Sequence, residues 1–307
     1  MSGIGKKNVN AKIGFIGLGM MGHGMAKNLV TKGFTLTVLG HKNRKPIESL
    51  TGMGATEASN PAEVAARSDI IFICVVGSPQ VEEVVFGKNG LLGAVKPGQV
   101  VVDCSTSEPE STARIADEFS FKRVAFVDAP LARTPKEAEE GRLNVMVGAE
   151  PEIFTKIEPA LKTFGENIFH VGGPGAGHKL KLVNNFFAMG QAALIAESLV
   201  AAKRSGIDLD AFCKVVSAGG ANSGIFQMVG LSAVAGTYDG LRFGLDLARK
   251  DLRYYTHMTE QLGLPSVLGE AVHQSFVLAS ALGYGGKLVG SLVEAQEKIT
   301  GTKVSKG

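Results

Sequence analysis

Lys12-Ile13-Gly14-Phe15-Ile16-Gly17-Leu18-Gly19-Met20-Met21-Gly22 is the stretch whose reading decides the fold. An apolar run of strand length ends on Gly17, and glycines follow at the spacing Gly-x-Gly-x-x-Gly. Met25, Ala26, Leu29 and Val30 then recur at helical spacing as far as Gly33. Strand, glycine turn and helix in that order let a backbone cradle a pyrophosphate. Gly17 makes the tight turn, Gly19 lets the backbone approach the phosphates, and Gly22 lets the helix pack on the strand. The helix start adds free N–H groups and a positive dipole end. Taken alone, the motif is also compatible with a merely structural glycine turn.

The next apolar run, 35–39, ends where an acidic residue about 20 residues past the glycines would bind a ribose hydroxyl. Gly40 stands there, followed by His41, Lys42, Asn43, Arg44 and Lys45. With no carboxylate to repel a phosphate and several cations in reach, the loop predicts NADP, with NAD possible, and His41 and Arg44 as 2′-phosphate contacts. The competing reading is a solvated basic loop.

Further strand-like runs at 70–76, 100–103, 124–128 and 145–147 alternate with helical segments such as 61–67 and 109–120. That alternation predicts an α/β fold with a parallel sheet covered by helices on both faces. Ligands bind such sheets outside the carboxyl ends of the strands. Two stretches fall there, Asp103-Cys104-Ser105-Thr106-Ser107 and Asp128-Ala129-Pro130-Leu131-Ala132-Arg133-Thr134-Pro135, although Ser105 could also be a loose N-cap for the helix near Pro109. Gly172-Gly173-Pro174-Gly175 marks a boundary between a first domain, 1–174, and a second, 175–307. The second reads as helical throughout, for instance over 209–216, 245–261 and 265–282.

From Gly177 to about Arg204 a nearly continuous apolar surface predicts one long helix, buried on most sides. Its first turns differ. Lys181 and Asn185 stand four apart and Asn184 three from Lys181, so an amine and amides share one face. A lysine buried there needs partners, because desolvation disfavours the ammonium. On this helix alone, Lys181 could equally snorkel to solvent.

Composition narrows the class. The 307 residues suffice for two ordinary domains, and a net charge of +3 is too small to argue for nucleic acid or a membrane surface. Cys74, Cys104 and Cys213 have no paired spacing, so neither a disulfide framework nor a zinc site is expected, and reduced cytoplasm is the default. Lys6 and Lys7 before an apolar run superficially resemble a signal peptide, but the glycines, His23 and Lys27 that follow favour a strand and turn. No run is expected to reach bilayer length, since Gln191 and Glu197 interrupt even 186–202. That same segment would fit a homodimer or homotetramer buried around it.

Five motifs, in order and spanning nearly the whole chain, resemble the β-hydroxyacid dehydrogenases typified by 3-hydroxyisobutyrate dehydrogenase. They are the Gly17–Gly22 fingerprint, Asp103-x-Ser105-Thr106, Asp128-Ala129-Pro130, Lys181-x-x-Asn184-Asn185 and Lys250-Asp251-Leu252. The resemblance implies a Rossmann-type doubly wound domain, an all-helical second domain entered through the long helix, and hydride exchange between a nicotinamide and a hydroxy acid. It makes Lys181 the catalytic lysine, Asn185 its neighbouring amide, Ser105 the substrate hydroxyl and Lys250 a residue that closes over the nicotinamide. Candidate cofactor contacts are therefore Gly17, Leu18, Gly19, Met20, Met21, Gly22, His41, Arg44, Val75, Val76, Thr106 and Lys250.

The chain departs from the family's pattern after Asp128-Ala129-Pro130. Most members read Ser-Gly-Gly there, with backbone amides on the substrate carboxylate, whereas this chain reads Ala132-Arg133-Thr134. A subgroup with Gly-Arg-Thr includes sulfolactaldehyde reductases, and the 172–175 and 246–251 segments are similar to theirs. Ala132 and the basic 40–45 loop differ from them, and Lys287 lies near the place of the family's usual Asp before the last helix. The expectation is a short aldehyde or hydroxy acid with a terminal carboxylate or sulfonate, held by the Arg133 guanidinium with Thr134 and Asn184. In the competing reading Arg133 pairs with Glu137 or Glu140. Two other classes share part of this pattern. Gly177-His178 before Lys181 resembles 6-phosphogluconate dehydrogenase, which needs a longer chain and His-Asn-Gly after its lysine, and a non-catalytic interaction module of the same fold would lack the lysine.

Overall fold

The computed structural model describes residues 11–305, so Lys6 and Lys7 lie outside the described residues. It forms two compact units, one ending at Lys181 and the other beginning at Leu182.

In the first unit, strands β1 (Lys12–Ile16), β2 (Thr35–Leu39), β3 (Thr56–Ala58), β4 (Ile70–Ile73), β5 (Val100–Asp103), β6 (Ala125–Asp128), β7 (Leu131–Ala132), β8 (Leu143–Gly148) and β9 (Gly165–Gly172) form one sheet. Helices α1 (Gly22–Thr31), α2 (Lys45–Gly52), α3 (Pro61–Ala66), α4 (Ser78–Phe86), α5 (Pro109–Phe121), α6 (Pro135–Glu140) and α7 (Pro151–Leu161) connect them. The strand order is β3-β2-β1-β4-β5-β6-β8-β7, with β9 beside β8. Pairing is parallel from β3 to β6. The order reverses between β1 and β4, which creates the crevice where such sheets bind ligands.

Alternate residues of the central strands enter different cores, as a sheet buried on both faces requires. Ile13, Phe15, Ile70, Phe72, Val100 and Val102 pack with Leu29 and Phe164. Ile16, Ile71, Ile73 and Val101 pack with Val81, Ile115 and Phe119. The expected strands 35–39 and 100–103 coincide with β2 and β5, while the run 70–76 leaves the sheet after Ile73. The sheet is not wholly parallel, because β8 runs antiparallel to both β6 and β7. Strands β3, β7 and β9 carry no usable apolar signal: β3 is three residues with Thr56 and Glu57 exposed, β7 is two residues, and β9 has no buried residue in its pattern.

The long helix α8 spans Ala176–Arg204. The compact units divide inside it, not before it at 174/175, because its first turn is tied to the sheet by the contacts described below. The second unit continues with α9 (Leu209–Ala218), α10 (Leu231–Val234), α11 (Leu245–Gln261), α12 (Val267–Ala279) and α13 (Ser291–Thr300). Among its described residues the only strand-like pairing is the isolated bridge Gly244 to Leu288.

Met189, Ala192, Ile195, Ala196, Leu199 and Val200 of α8 enter the core of the second unit. The expectation of burial on most sides is too strong, since Phe187 and Leu194 are 71% and 66% exposed. The expectation about bilayer length is also corrected: α8 is long and apolar enough to cross a membrane, as Gln191 and Glu197 do not offset its apolar surroundings. Its packing in the core accounts for that composition without a bilayer. Near the end of the described chain, buried Glu297 accepts hydrogen bonds from the Tyr238 hydroxyl at 3.1 Å and the Val304 N–H at 2.7 Å. Burial, then the Glu297 charge, pushes the Tyr238 phenol up to about 12.

All three cysteines are free. Burial and the Asp103 carboxylate push the Cys74 thiol up to about 12, and burial raises Cys104 and Cys213 as well.

Candidate active site

The glycine turn has the geometry its sequence demands. Gly17 has φ +99°, and a Cβ on it would lie 2.2 Å from the Cys74 carbonyl oxygen. A Cβ on Gly22 would lie 1.9 Å from the Gly17 oxygen. Gly19 differs, because a Cβ there would meet nothing within 4 Å. No protein neighbour explains that glycine, and close approach of a ligand's phosphates does. Helix α1 begins without a side-chain cap; the His23 N–H is donated to the Gly19 carbonyl, and the positive end of the helix faces the glycine turn. Leu18 and Met21 pack against the core, whereas Met20 is exposed. These residues fit a dinucleotide.

The loop after β2 gives one of its cations a protein partner. The Arg44 guanidinium is engaged by Glu57 of β3 through two hydrogen bonds, 2.7 Å from Nη1 and 2.8 Å from Nη2. Gly40 also has a packing reason, since a Cβ there would lie 2.6 Å from Ile47 Cγ1. Its identity therefore does not by itself mean that a carboxylate is missing. His41 and Lys42 are exposed.

The carboxyl ends of β5 and β6 meet the start of α8 in a buried polar network. Asp128, fully buried, accepts the Gly175 N–H on Oδ1 at 2.6 Å and the His178 N–H on Oδ2 at 2.7 Å, and so caps the helix. Glycines make room for it: a Cβ on Gly177 would lie 2.5 Å from the Met146 carbonyl oxygen, and one on Gly148 2.5 Å from Asp128 Oδ1. Asp103 accepts the Ser105 N–H and the Ser107 hydroxyl, each at 2.8 Å. Ser105 is not an N-cap, a place taken by Glu108; its Oγ accepts the Val75 N–H at 2.9 Å. Val76 is exposed and Thr106 half-buried beside this pair. His178, fully buried, sets Nδ1 2.7 Å from the Thr112 hydroxyl and Nε2 3.2 Å from the Ser105 carbonyl oxygen. Lys181, half-buried, follows one turn later.

Arg133 and Thr134 both have protein partners. Arg133 has φ +82°, and its guanidinium is held by the Glu166 carboxylate on β9 and the Arg142 carbonyl. The partner is neither Glu137 nor Glu140, because the left-handed turn aims the side chain back across the β7–β8 hairpin. Thr134 is the N-cap of α6 in a capping box with Glu137, whose carboxylate is lowered first by the Thr134 hydroxyl. Both side chains thus serve the hairpin and its helix.

In the second unit the central group is Asp251, which the sequence does not single out for the site. It is buried, accepts the Asn185 amide on Oδ2 at 2.6 Å, and places Oδ1 3.0 Å from Lys250 Nζ as an ion pair without hydrogen-bond alignment. Lys250 also lies over the Tyr254 ring, 4.9 Å from its centroid. The carboxylate fixes the Asn185 amide, since Nδ2 must face Asp251 and Oδ1 is turned the other way. Asn184 is exposed, with its Nδ2 3.4 Å from Asn185 Oδ1.

A phosphate-cradling turn at the switch point of a doubly wound sheet defines a dinucleotide-binding protein, and its relatives make it an NAD(P)-dependent oxidoreductase. Residues 12–172 match the family described as the NAD binding domain of 6-phosphogluconate dehydrogenase. Residues 175–294 match that described as the NAD-binding domain of NADP-dependent 3-hydroxyisobutyrate dehydrogenase. The chain belongs to the β-hydroxyacid dehydrogenase family. It is 34% identical to 2-(hydroxymethyl)glutarate dehydrogenase of Eubacterium barkeri, over 96% of this chain and 98% of that one. It is 33% identical to 3-sulfolactaldehyde reductase of Escherichia coli strain K12, over 90% and 92%. A crystal structure of 3-hydroxyisobutyrate dehydrogenase from Salmonella typhimurium superimposes with a TM-score of 0.80 at 28% identity, covering 93% and 99%.

Proposed function

We propose that the protein interconverts a short hydroxy acid and its aldehyde, the substrate carrying a terminal carboxylate or sulfonate, with NADP preferred over NAD. The names of its relatives, a hydroxymethylglutarate dehydrogenase and a sulfolactaldehyde reductase, support the anionic class. The observation that carries the reading is Lys181, half-buried on a helix whose first turn is pinned by Asp128 and His178. The nicotinamide, when bound, supplies or accepts the hydride. In the reducing direction Lys181 holds a proton on Nζ and gives it to the carbonyl oxygen as that oxygen gains charge, and in the oxidising direction it takes the proton back. Positioned acids of this kind contribute about 10²- to 10⁴-fold. Because Ser105 Oγ already accepts from Val75, its single hydroxyl proton is left to donate to the substrate's oxygen. Asn185, its amide fixed by Asp251, offers Oδ1 as an acceptor four residues on from the lysine. Asn184 is the exposed amide left to hold the anion.

NADP preference rests on His41, Lys42 and the guanidinium protons of Arg44 that Glu57 leaves unused. The exposed Phe187 and Leu194 on α8 are offered as part of a contact between copies in a homodimer or homotetramer, to be read by light scattering. The three free thiols, two of them buried, fit a reducing compartment, hence the cytoplasm.

The test is NADPH consumption with sulfolactaldehyde, succinic semialdehyde and a neutral aldehyde of similar length. Lys181→Ala should lower kcat by at least about 10²-fold with NADPH affinity unchanged. Near-normal turnover by the variant would reduce the lysine to a rim residue.

A further inference from the structure

His178 is buried, titratable and three residues before the proposed proton donor, and the mechanism above does not use it. Its partners define what each nitrogen does. The Ser105 carbonyl can only accept, so Nε2 carries a proton and donates to it at 3.2 Å. The Thr112 hydroxyl has one proton and two acceptors in reach, His178 Nδ1 at 2.7 Å and the Glu108 carbonyl at 3.1 Å. Asp103 Oδ2 lies 3.7 Å from Nε2 and accepts the Ser107 hydroxyl, and Asp103 Oδ1 holds the Ser105 N–H. The backbone of Ser105 is thereby gripped at both ends, its N–H by Asp103 and its carbonyl by His178, while its Oγ is gripped by the Val75 N–H. The His178 N–H is in turn fixed by Asp128. One imidazole thus joins the peptide of the serine to the helix turn that leads into Lys181. Those two groups would act on a single oxygen atom of the substrate.

We propose that His178 is a positioning residue: its Nε2–H sets the Ser105 hydroxyl in register with Lys181, and it transfers no proton itself. This rests on the assignment of Lys181 and Ser105 made above. A grip of this kind matters because a small misplacement of reacting groups, about 1 Å, can lower a rate about 10²-fold. Glutamine can replace the imidazole in this role, since its NH₂ offers a donor to Ser105, with a second N–H on the side of Asp103, and its oxygen an acceptor from Thr112.

The test compares His178→Gln, His178→Leu and Thr112→Val in the full chain, with Lys181→Ala and Ser105→Ala as references. His178→Leu should lose about tenfold or more in kcat, the effect of one misplaced hydrogen bond, with NADPH affinity unchanged. His178→Gln should keep most of the turnover and the wild-type shape of the pH profile. The double variant of His178→Leu with Ser105→Ala should be no slower than Ser105→Ala alone, because the histidine acts through the serine. Additive losses would overturn the proposal, as would a missing pH limb or a His178→Leu-sized loss in His178→Gln. If His178→Leu does not fold, Thr112→Val stands in for it. It should lower kcat several-fold, and wild-type turnover would count against the proposal. Normal turnover in Lys181→Ala would sink the functional reading itself, whereas a dead Lys181→Ala beside a fully active His178→Leu would sink only this inference.

Discussion

Replacing Asp128 by alanine removes the cap of α8 and tests how strongly the helix start depends on it. Two backbone N–H groups, those of Gly175 and His178, would lose their acceptor in a fully buried site. Hydrogen bonds to a charged group contribute about 1.5–3 kcal/mol each, so the pair amounts to about 3–6 kcal/mol. Gly148 and Gly177, which lie against the carboxylate, carry no side chain to take over. A unit of this size shifts its melting temperature by about 2–4 °C per kcal/mol, which puts the expected fall on the order of 10 °C. Asp128→Asn keeps one acceptor oxygen but turns an NH₂ toward the second N–H, and should lose about half as much. Urea unfolding followed by circular dichroism measures both variants, and single-turnover kinetics show whether Lys181 has moved with the turn. A loss below about 1 kcal/mol for alanine, or equal losses for alanine and asparagine, would refute the cap as the anchor of the helix.

Tyr238 predicts an alkaline limb of stability. Its folded pKa of about 12 lies above the unfolded value near 10, so its contribution is complete below pH 10 and is lost as pH rises toward 12; tyrosinate absorbance should appear together with unfolding, and ionisation near 10 without unfolding would contradict the burial. Arg133→Ala should weaken turnover equally on anionic and neutral aldehydes and destabilise by about 1 kcal/mol or less, because its guanidinium clips β9 to the hairpin; a loss confined to the anionic substrates would restore it as an anion contact. Glu57→Gln frees Arg44 from a neutralising charge and should raise kcat/KM for NADPH relative to NADH, and no change would remove Arg44 from the phosphate site. It is a cleaner probe than Gly40→Asp, whose side chain would collide with Ile47.

What the sequence made legible were features with strong local periodicity. The 12–22 motif announces its turn because Gly17 and Gly22 have no alternative residue, and 245–261 and the end of α8 at Arg204 follow from helical spacing. Strand β9 was invisible because residues such as Glu166, Asn167 and His170 give an edge strand no apolar rhythm. At the site, Lys181 and Asn185 could be paired from their spacing alone. The partners Asp251, Asp128 and His178 could not, since each acts across a long sequence separation that no periodicity encodes. The partner of Arg133 was hidden for a related reason. The φ of +82° that turns its side chain toward Glu166 is a property of the hairpin, and nothing in Ala132-Arg133-Thr134 announces it.

The three thiols give the molecule a built-in clock. Only thiolate reacts with alkylating reagents, and a group with a pKa near 12 is ionised to about one part in 10⁴ at pH 8. Native Cys74, half-buried, should therefore react slowly, buried Cys104 only through opening events that return it to water, and Cys213 reports from the other unit. Labelling rates resolved by mass would time the loosening of the sheet and of the helices separately, with no residue engineered into either.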